Sequence, residues 1–159
     1  MPFLEWLENT TFSTTVREST LLYPTVLALH SIGMGFLVGL NAVVDLRLLG
    51  ITPGVPRASL DGLFPVMWIG FWVNFLTGLV LLAQSATHHL TDPVMYAKLA
   101  FIAVAVAIMP KLRRALTSTP SADTGSSVRL LALASLVLWT LAVTAGRLTA
   151  YTFFRFWEH

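Results

Sequence analysis

Apolar residues run through this chain in four long blocks, at positions 21–44, 64–86, 94–109 and 128–150. Within each block the apolar residues are continuous, with neither the alternation of a half-buried strand nor the polar stripe of a surface helix. A bilayer core of about 30 Å needs roughly 20 such residues in a helix. A membrane barrel would instead alternate polar and apolar positions. The pattern therefore predicts an all-α fold, an integral membrane four-helix bundle with short interfacial segments at both termini. The third block is short and is expected to stop before Pro110, because proline fits poorly inside a helix. The amphipathic stretch Phe3-Leu4-Glu5-Trp6-Leu7-Glu8 and the aromatics Tyr151, Phe153, Phe154, Phe156 and Trp157 read as interfacial pieces. Positions 117–127, rich in Ser, Thr, Pro and Gly, read as a flexible loop.

Composition agrees. Of 159 residues 55% are hydrophobic and 11% charged, and the mean hydropathy is +0.73. A soluble domain carries about 25% charged residues. The length suits one membrane domain, 1–159. A net charge of +2 with scattered basic residues excludes a nucleic-acid footprint, which needs a clustered basic stripe. The absence of cysteine excludes disulfides, thiolate zinc sites, Fe–S clusters and covalently attached c-type haem. The first residues lack the basic segment of a signal peptide, so the first apolar block is expected to remain as a transmembrane helix.

Charge in the connections orients the bundle. Arg47 and Arg57 lie between the first two spans, and Lys111, Arg113, Arg114 and Arg129 between the last two. The other side has Arg17 and Arg155 against Glu5, Glu8, Glu18, Asp92 and Glu158. The positive-inside rule then puts both odd-numbered loops in the cytoplasm and both termini outside.

Small residues mark where helices can meet. Ser31, Gly35 and Gly39 in span one, and Gly70, Asn74 and Gly78 in span two, follow the small-xxx-small spacing that admits another backbone.

Polar side chains inside a membrane are costly and each calls for an explanation. Every span supplies one: His30, Asn74, Lys98 and Arg147. At about 1.5 Å per residue, His30 lies about 10–14 Å below the outer surface, and Lys98 and Arg147 about 6 Å. The three ionisable groups are thus expected to share the outer half of the bundle, facing one another. Taken singly, Lys98 and Arg147 could snorkel to the interface, and His30 could be a neutral imidazole bonded across to Asn74. Thr140, Thr144 and Arg147 recur on one helical face, which suggests an inward cavity. The adjacent His88 and His89 read as a surface pair, with Asp92 or His159 as weak metal partners. Trp68 and Trp72 read as packing residues, and Asp45 with Arg47 as a local ion pair.

Glu5-Trp6-Leu7-Glu8-Asn9, Arg17-Glu18-Ser19, Leu29-His30, Asp45-Leu46-Arg47-Leu48-Leu49-Gly50 and Gly146-Arg147 resemble a group of small bacterial four-helix membrane proteins of no known activity. Leu29-His30, Thr77-Gly78-Leu79, Asp92-Pro93 and Lys98-Leu99 are similar, more distantly, to copper-resistance-D-type proteins and HemJ-like protoporphyrinogen oxidases. The second resemblance implies a b-type haem held by His30 and Lys98. The chain departs from that family in having no histidine later in span three.

Neutral imidazole is a good axial ligand to haem iron. A lysine ligates only when uncharged; otherwise the iron would be five-coordinate on His30 or would reach for His88 or His89, which look too shallow. Arg147 suits a propionate, and Asn74 completes the expected cofactor-binding set. The resulting expectation is a haem-b electron-transfer or oxidoreductase subunit. The alternative is a cofactor-free accessory subunit of a larger membrane complex, in contact with lipid and other membrane subunits. A small transporter ranks last, since four spans leave little room for alternating access. No nucleophile–base pair, phosphate loop or carboxylate pair points to hydrolysis or phosphoryl transfer.

Overall fold

The computed structural model describes residues 2–118 and 125–155 and holds eight helices among them. They are α1 (Pro2–Glu8), α2 (Thr11–Glu18), α3 (Leu22–Leu48), α4 (Arg57–Asp61), α5 (Leu63–Ala83), α6 (Ala86–Thr91), α7 (Pro93–Ser118) and α8 (Ser126–Arg155). Four stretches are long and apolar enough to cross a membrane: Leu22–Leu48, Arg57–Ala83, Pro93–Thr117 and Ser126–Thr149. Only 17%, 11%, 17% and 28% of their most apolar windows are buried inside the bundle. The remaining apolar surface faces outward, where only lipid accommodates it, so the chain is an integral membrane protein of the all-α, four-helix class. The expected aromatic cluster after Ala150 and most of the 117–127 loop lie outside the described residues and side chains.

Local chemistry sets the helix ends. Ser19 Oγ accepts from the backbone N–H groups of Leu21 and Leu22 at 3.3 and 3.0 Å, covering donors that have no partner in the helix. Pro24 falls in the first turn, where its missing N–H costs nothing. At the other end Gly50 takes φ +83°, Gly50 N–H bonds the Arg47 carbonyl and Ile51 N–H bonds that of Leu46. This Schellman closure needs a residue without a Cβ at that position. Asp92 Oδ1 accepts from Val94 N–H at 2.8 Å, and Pro93 opens α7 as its first residue.

Two boundaries differ from expectation. α7 continues through Pro110 to Ser118. The residues beyond the proline are held by tertiary contacts that outweigh one lost backbone bond: Leu112 and Leu116 are buried, and Arg113 pairs with Asp61 of α4 at 2.7 Å and lies 5.6 Å from the Phe64 ring. Membrane helices tolerate proline where neighbours provide such support. Span two ends at Ala83, and the chain turns at Gln84–Ser85 before α6, so His88 and His89 sit on a separate short helix.

The most extensive packing is α3 on α5 and α7 on α8, and the two pairs join chiefly through α3 and α8. Small residues make the first crossing possible, though with a different residue on α3 than the spacing suggested. A Cβ on Gly33 would stand 2.9 Å from Asn74 N and Gly70 O, and one on Gly70 would stand 2.9 Å from Gly33 O. Gly35 and Gly39 instead have nothing within 4 Å, and Ser31 is exposed, so that stripe faces away from the bundle. Gly70, Asn74 and Gly78 do line the crossing. Trp68 and Trp72 also face outward, interleaved edge-to-face with Phe71 and Phe75 rather than packed in the core.

The buried core is concentrated at the basic end, around Leu37, Val44, Leu48, Phe64, Met67, Met109, Leu112 and Trp139. At the other end α1 and α2 form a lid. Glu8 Oε1 accepts from Thr87 N–H at 2.6 Å, Ser13 Oγ bonds the Leu7 carbonyl at 2.8 Å, and Arg17 reaches the Gln84 carbonyl at 3.4 Å. Phe3 and Trp6 stack and stay exposed, as suits a helix lying in the membrane interface.

Glycine identity at the α3–α5 crossing should dominate stability. Gly70→Leu forces the backbones apart and should cost about 1–3 kcal/mol or more, whereas Gly35→Leu should stay within about 0.5 kcal/mol. Thermal melts of both variants in detergent check the contrast.

Candidate functional site

His30 and Asn74 hold each other across the α3–α5 crossing. His30 Nδ1 lies 3.0 Å from the Asn74 carbonyl oxygen and 3.1 Å from Thr77 Oγ1. A carbonyl can only accept, so Nδ1 carries the proton and donates. Thr77 Oγ1 spends its own proton on the Val73 carbonyl at 2.6 Å, which leaves its lone pairs facing the imidazole. In return Asn74 Nδ2 donates to the His30 carbonyl at 2.8 Å. The imidazole lies against Gly78, where a Cβ would stand 3.1 Å from its Cε1. The ring is thus fixed by two acceptors and a glycine shelf, with Nε2 as its uncommitted nitrogen. A carbonyl on one ring nitrogen is how metal-binding histidines are commonly oriented and made more basic.

Lys98 is half-buried and turns inward. Its stem lies along Gly146 of α8, with Cε 3.5 Å and Nζ 3.7 Å from the place a Cβ would occupy. Its ammonium is near enough to His30 and to His89 to act electrostatically on both. His88 and His89 meet edge-to-face with ring centroids 5.4 Å apart, and His89 is half-buried rather than a surface residue. The turn at Gln84–Ser85 is what brings α6 back toward Lys98, and nothing in the linear pattern marks it strongly. Among the described residues, no three metal-ligating His, Asp or Glu side chains come together.

Arg147 does not join this group. It is exposed, on the side of α8 that also carries the exposed Thr140 and Thr144. Both threonine hydroxyls bond carbonyls of their own helix, at 2.8 Å each. The inward face of α8 is instead Ala132, Ser135, Trp139, Ala142, Ala145 and Thr149. The Thr140–Thr144–Arg147 stripe therefore borders the outside of the bundle and not an interior cavity; Thr140 and Thr144 line a groove between α3 and α8 with Val38 and Ala42. Asn74 turns both its amide nitrogen and its carbonyl toward His30, so it positions the histidine.

The Asp45–Arg47 ion pair is replaced by two separate contacts. Asp45 is fully buried against Asn41 and Ser135, while Arg47 Nε donates to the Val55 carbonyl at 2.6 Å. Asn41 and Ser135 were not singled out by the sequence reading. The four-residue spacing of Asn41 and Asp45 within an apolar helix is the signal that could have found them.

The chain is thus a four-span membrane protein with a polar, imidazole-bearing site at its lid end. Comparison with known proteins adds no kinship: no family model, curated protein or solved structure matches it.

At the lid, burial holds His89 below the usual histidine value of 6.5, helped by His88 and Lys98 and opposed by Asp92 and Glu8. A depressed histidine binds its proton more tightly when unfolded, so the stability of this region is present above the ordinary value and is lost as pH falls below it. Hydrogen-exchange protection in α6, taken against the intrinsic rate at each pH, should fall on acidification from neutral pH, and His89→Gln should flatten that dependence.

Proposed function

We propose that this protein is a haem-b-binding subunit of a bacterial inner membrane, acting in electron transfer or as part of an oxidoreductase. The observation that carries the reading is the orientation of His30, whose imidazole is anchored through Nδ1–H to the Asn74 carbonyl with Nε2 left over. The imidazole is of the kind that ligates haem iron. His30 and Lys98 would hold the iron, and Arg147, exposed and apart from them, would pair with a propionate. The packing supports it as well, because the apolar core lies at the basic end and α5 and α7 make little contact. His30 and Lys98 lie at the lid end, away from that core. A bound haem would supply one-electron chemistry at its iron. The chain's own part is to hold the imidazole in one tautomer, keep Lys98 beside it and cover the end with α1, α2 and α6. Basic loops on the opposite side favour the termini lying outside.

The outward stripe of Ser31, Gly35 and Gly39 favours a second reading, a cofactor-free accessory subunit that offers this face to a helix of a larger complex.

Visible spectra of the purified protein, as prepared and after dithionite, separate the two. Protein from haem-replete cells should show a Soret band that His30→Ala abolishes and Lys98→Met shifts in position while retaining haem. A colourless protein that copurifies with a stoichiometric membrane partner overturns the haem reading in favour of the accessory one.

A further inference from the structure

The basic half of the bundle contains a second polar group, separate from the lid-end site. Asn41 and Asp45 lie one turn apart on α3 and Ser135 faces them from α8; all three are 0% exposed. Asn41 Nδ2 donates to Asp45 Oδ2 at 2.7 Å and to Ser135 Oγ at 2.8 Å. The Ser135 hydroxyl also lies close enough to act on the Asp45 carboxyl. Two acceptor oxygens, Asn41 Oδ1 and Asp45 Oδ1, are buried with no hydrogen-bond partner.

Among the described residues no cation bonds the Asp45 carboxyl either. At this end of the bundle the charged groups on the neighbouring elements are Arg47 on α3, Arg57 and Asp61 on α4, Lys111, Arg113 and Arg114 on α7, and Arg129 on α8, while His30, Lys98 and Arg147 belong to the other end. Arg47 is committed to the Val55 carbonyl and Arg113 to Asp61, Lys111, Arg114 and Arg129 are exposed, and Arg57 is engaged elsewhere than at the Asp45 carboxyl. Among the described residues only Ser135 and Asn41 act on the Asp45 carboxyl. A carboxylate withdrawn from water without a counter-ion costs more than two neutral hydrogen bonds return. A proton placed on Oδ1 removes the charge and turns that orphan acceptor into a donor. A hard metal cation fits less well, since such ions want six or more oxygen ligands and only two oxygens here are uncommitted.

We infer that Asn41, Asp45 and Ser135 form a proton-binding site, in which the Asp45 carboxyl takes up one proton from water and returns it. Asp45 stands three residues before the end of α3 at Leu48, so the proton has a short path to the basic surface. Ser135 and Asn41 fix the carboxyl plane. The site is independent of haem.

Infrared difference spectra between acidic and alkaline buffers, taken on the full chain in lipid nanodiscs in H₂O and D₂O, test this directly. The expected result is a deuterium-sensitive C=O stretch of a protonated carboxyl that disappears in Asp45→Asn, with the variant melting at or above the wild-type temperature. Ser135→Ala removes one partner and should move the band; it carries the test if Asp45→Asn fails to fold. No such band at any pH the protein tolerates, a band unmoved in Ser135→Ala, or a band abolished by sodium ions at constant pH overturns the assignment, the last in favour of a cation site.

Discussion

Where α3 crosses α5, Gly33 and Gly70 bring two backbones so close that a methyl group on either would lie 2.9 Å from the other's carbonyl oxygen. Lipid is as apolar as the helix surfaces, so helices in a membrane gain little by hiding hydrophobic area from it. Close backbone approach and hydrogen bonds across the seam must hold them instead. The crossing supplies both. One turn from Gly33 it places His30 against Gly78 and opposite Asn74, where each residue's side chain bonds the other's carbonyl. A wider seam would break both bonds and release the imidazole. The functional candidate is thus a consequence of how two helices meet.

The bundle divides its labour along its length. At the basic end, large side chains from all four spans fill the interior, and the Asp61–Arg113 pair ties α4 to α7 even across Pro110. At the other end, polar and small residues replace the core, and closure comes from α1, α2 and α6. The lid is fastened by polar contacts from side chains of α1 and α2 to backbone groups of α6 and of the turn before it, in keeping with its place at a water-facing boundary. Polar groups stand at both ends, His30 and Lys98 beneath the lid and Asp45 within the core.

Much of this was legible in the sequence. Uninterrupted apolar blocks specify membrane helices because hydrocarbon leaves every backbone group to be satisfied within the segment. His30, Asn74 and Lys98 were visible as costly exceptions, and the His30–Asn74 bond was one of the readings left open. Facing directions were harder. With apolar residues all round each helix, no polar face reveals which side is inward, so Gly35 and Gly39 were indistinguishable from Gly33. Arg147 was placed inward by the threonines in register with it, whose hydroxyls turn out to be satisfied within their own helix. The Pro110 boundary followed a local rule that packing of Leu112, Leu116 and Arg113 overrode. Asp45 was paired with its sequence neighbour Arg47, although the group that meets it, Ser135, lies ninety positions away on another helix.

The tautomer of His30 is the most exposed point of the account, since the reading of the lid-end site rests on it. Nitrogen-15 NMR of histidine-labelled protein in bilayers, with the His30 signals assigned by their loss in His30→Gln, reads it directly. A protonated Nδ1 beside an unprotonated Nε2 is the result this structure requires. A proton on Nε2 with a bare Nδ1 would contradict the bond to the Asn74 carbonyl, and with it the geometry from which the site is built.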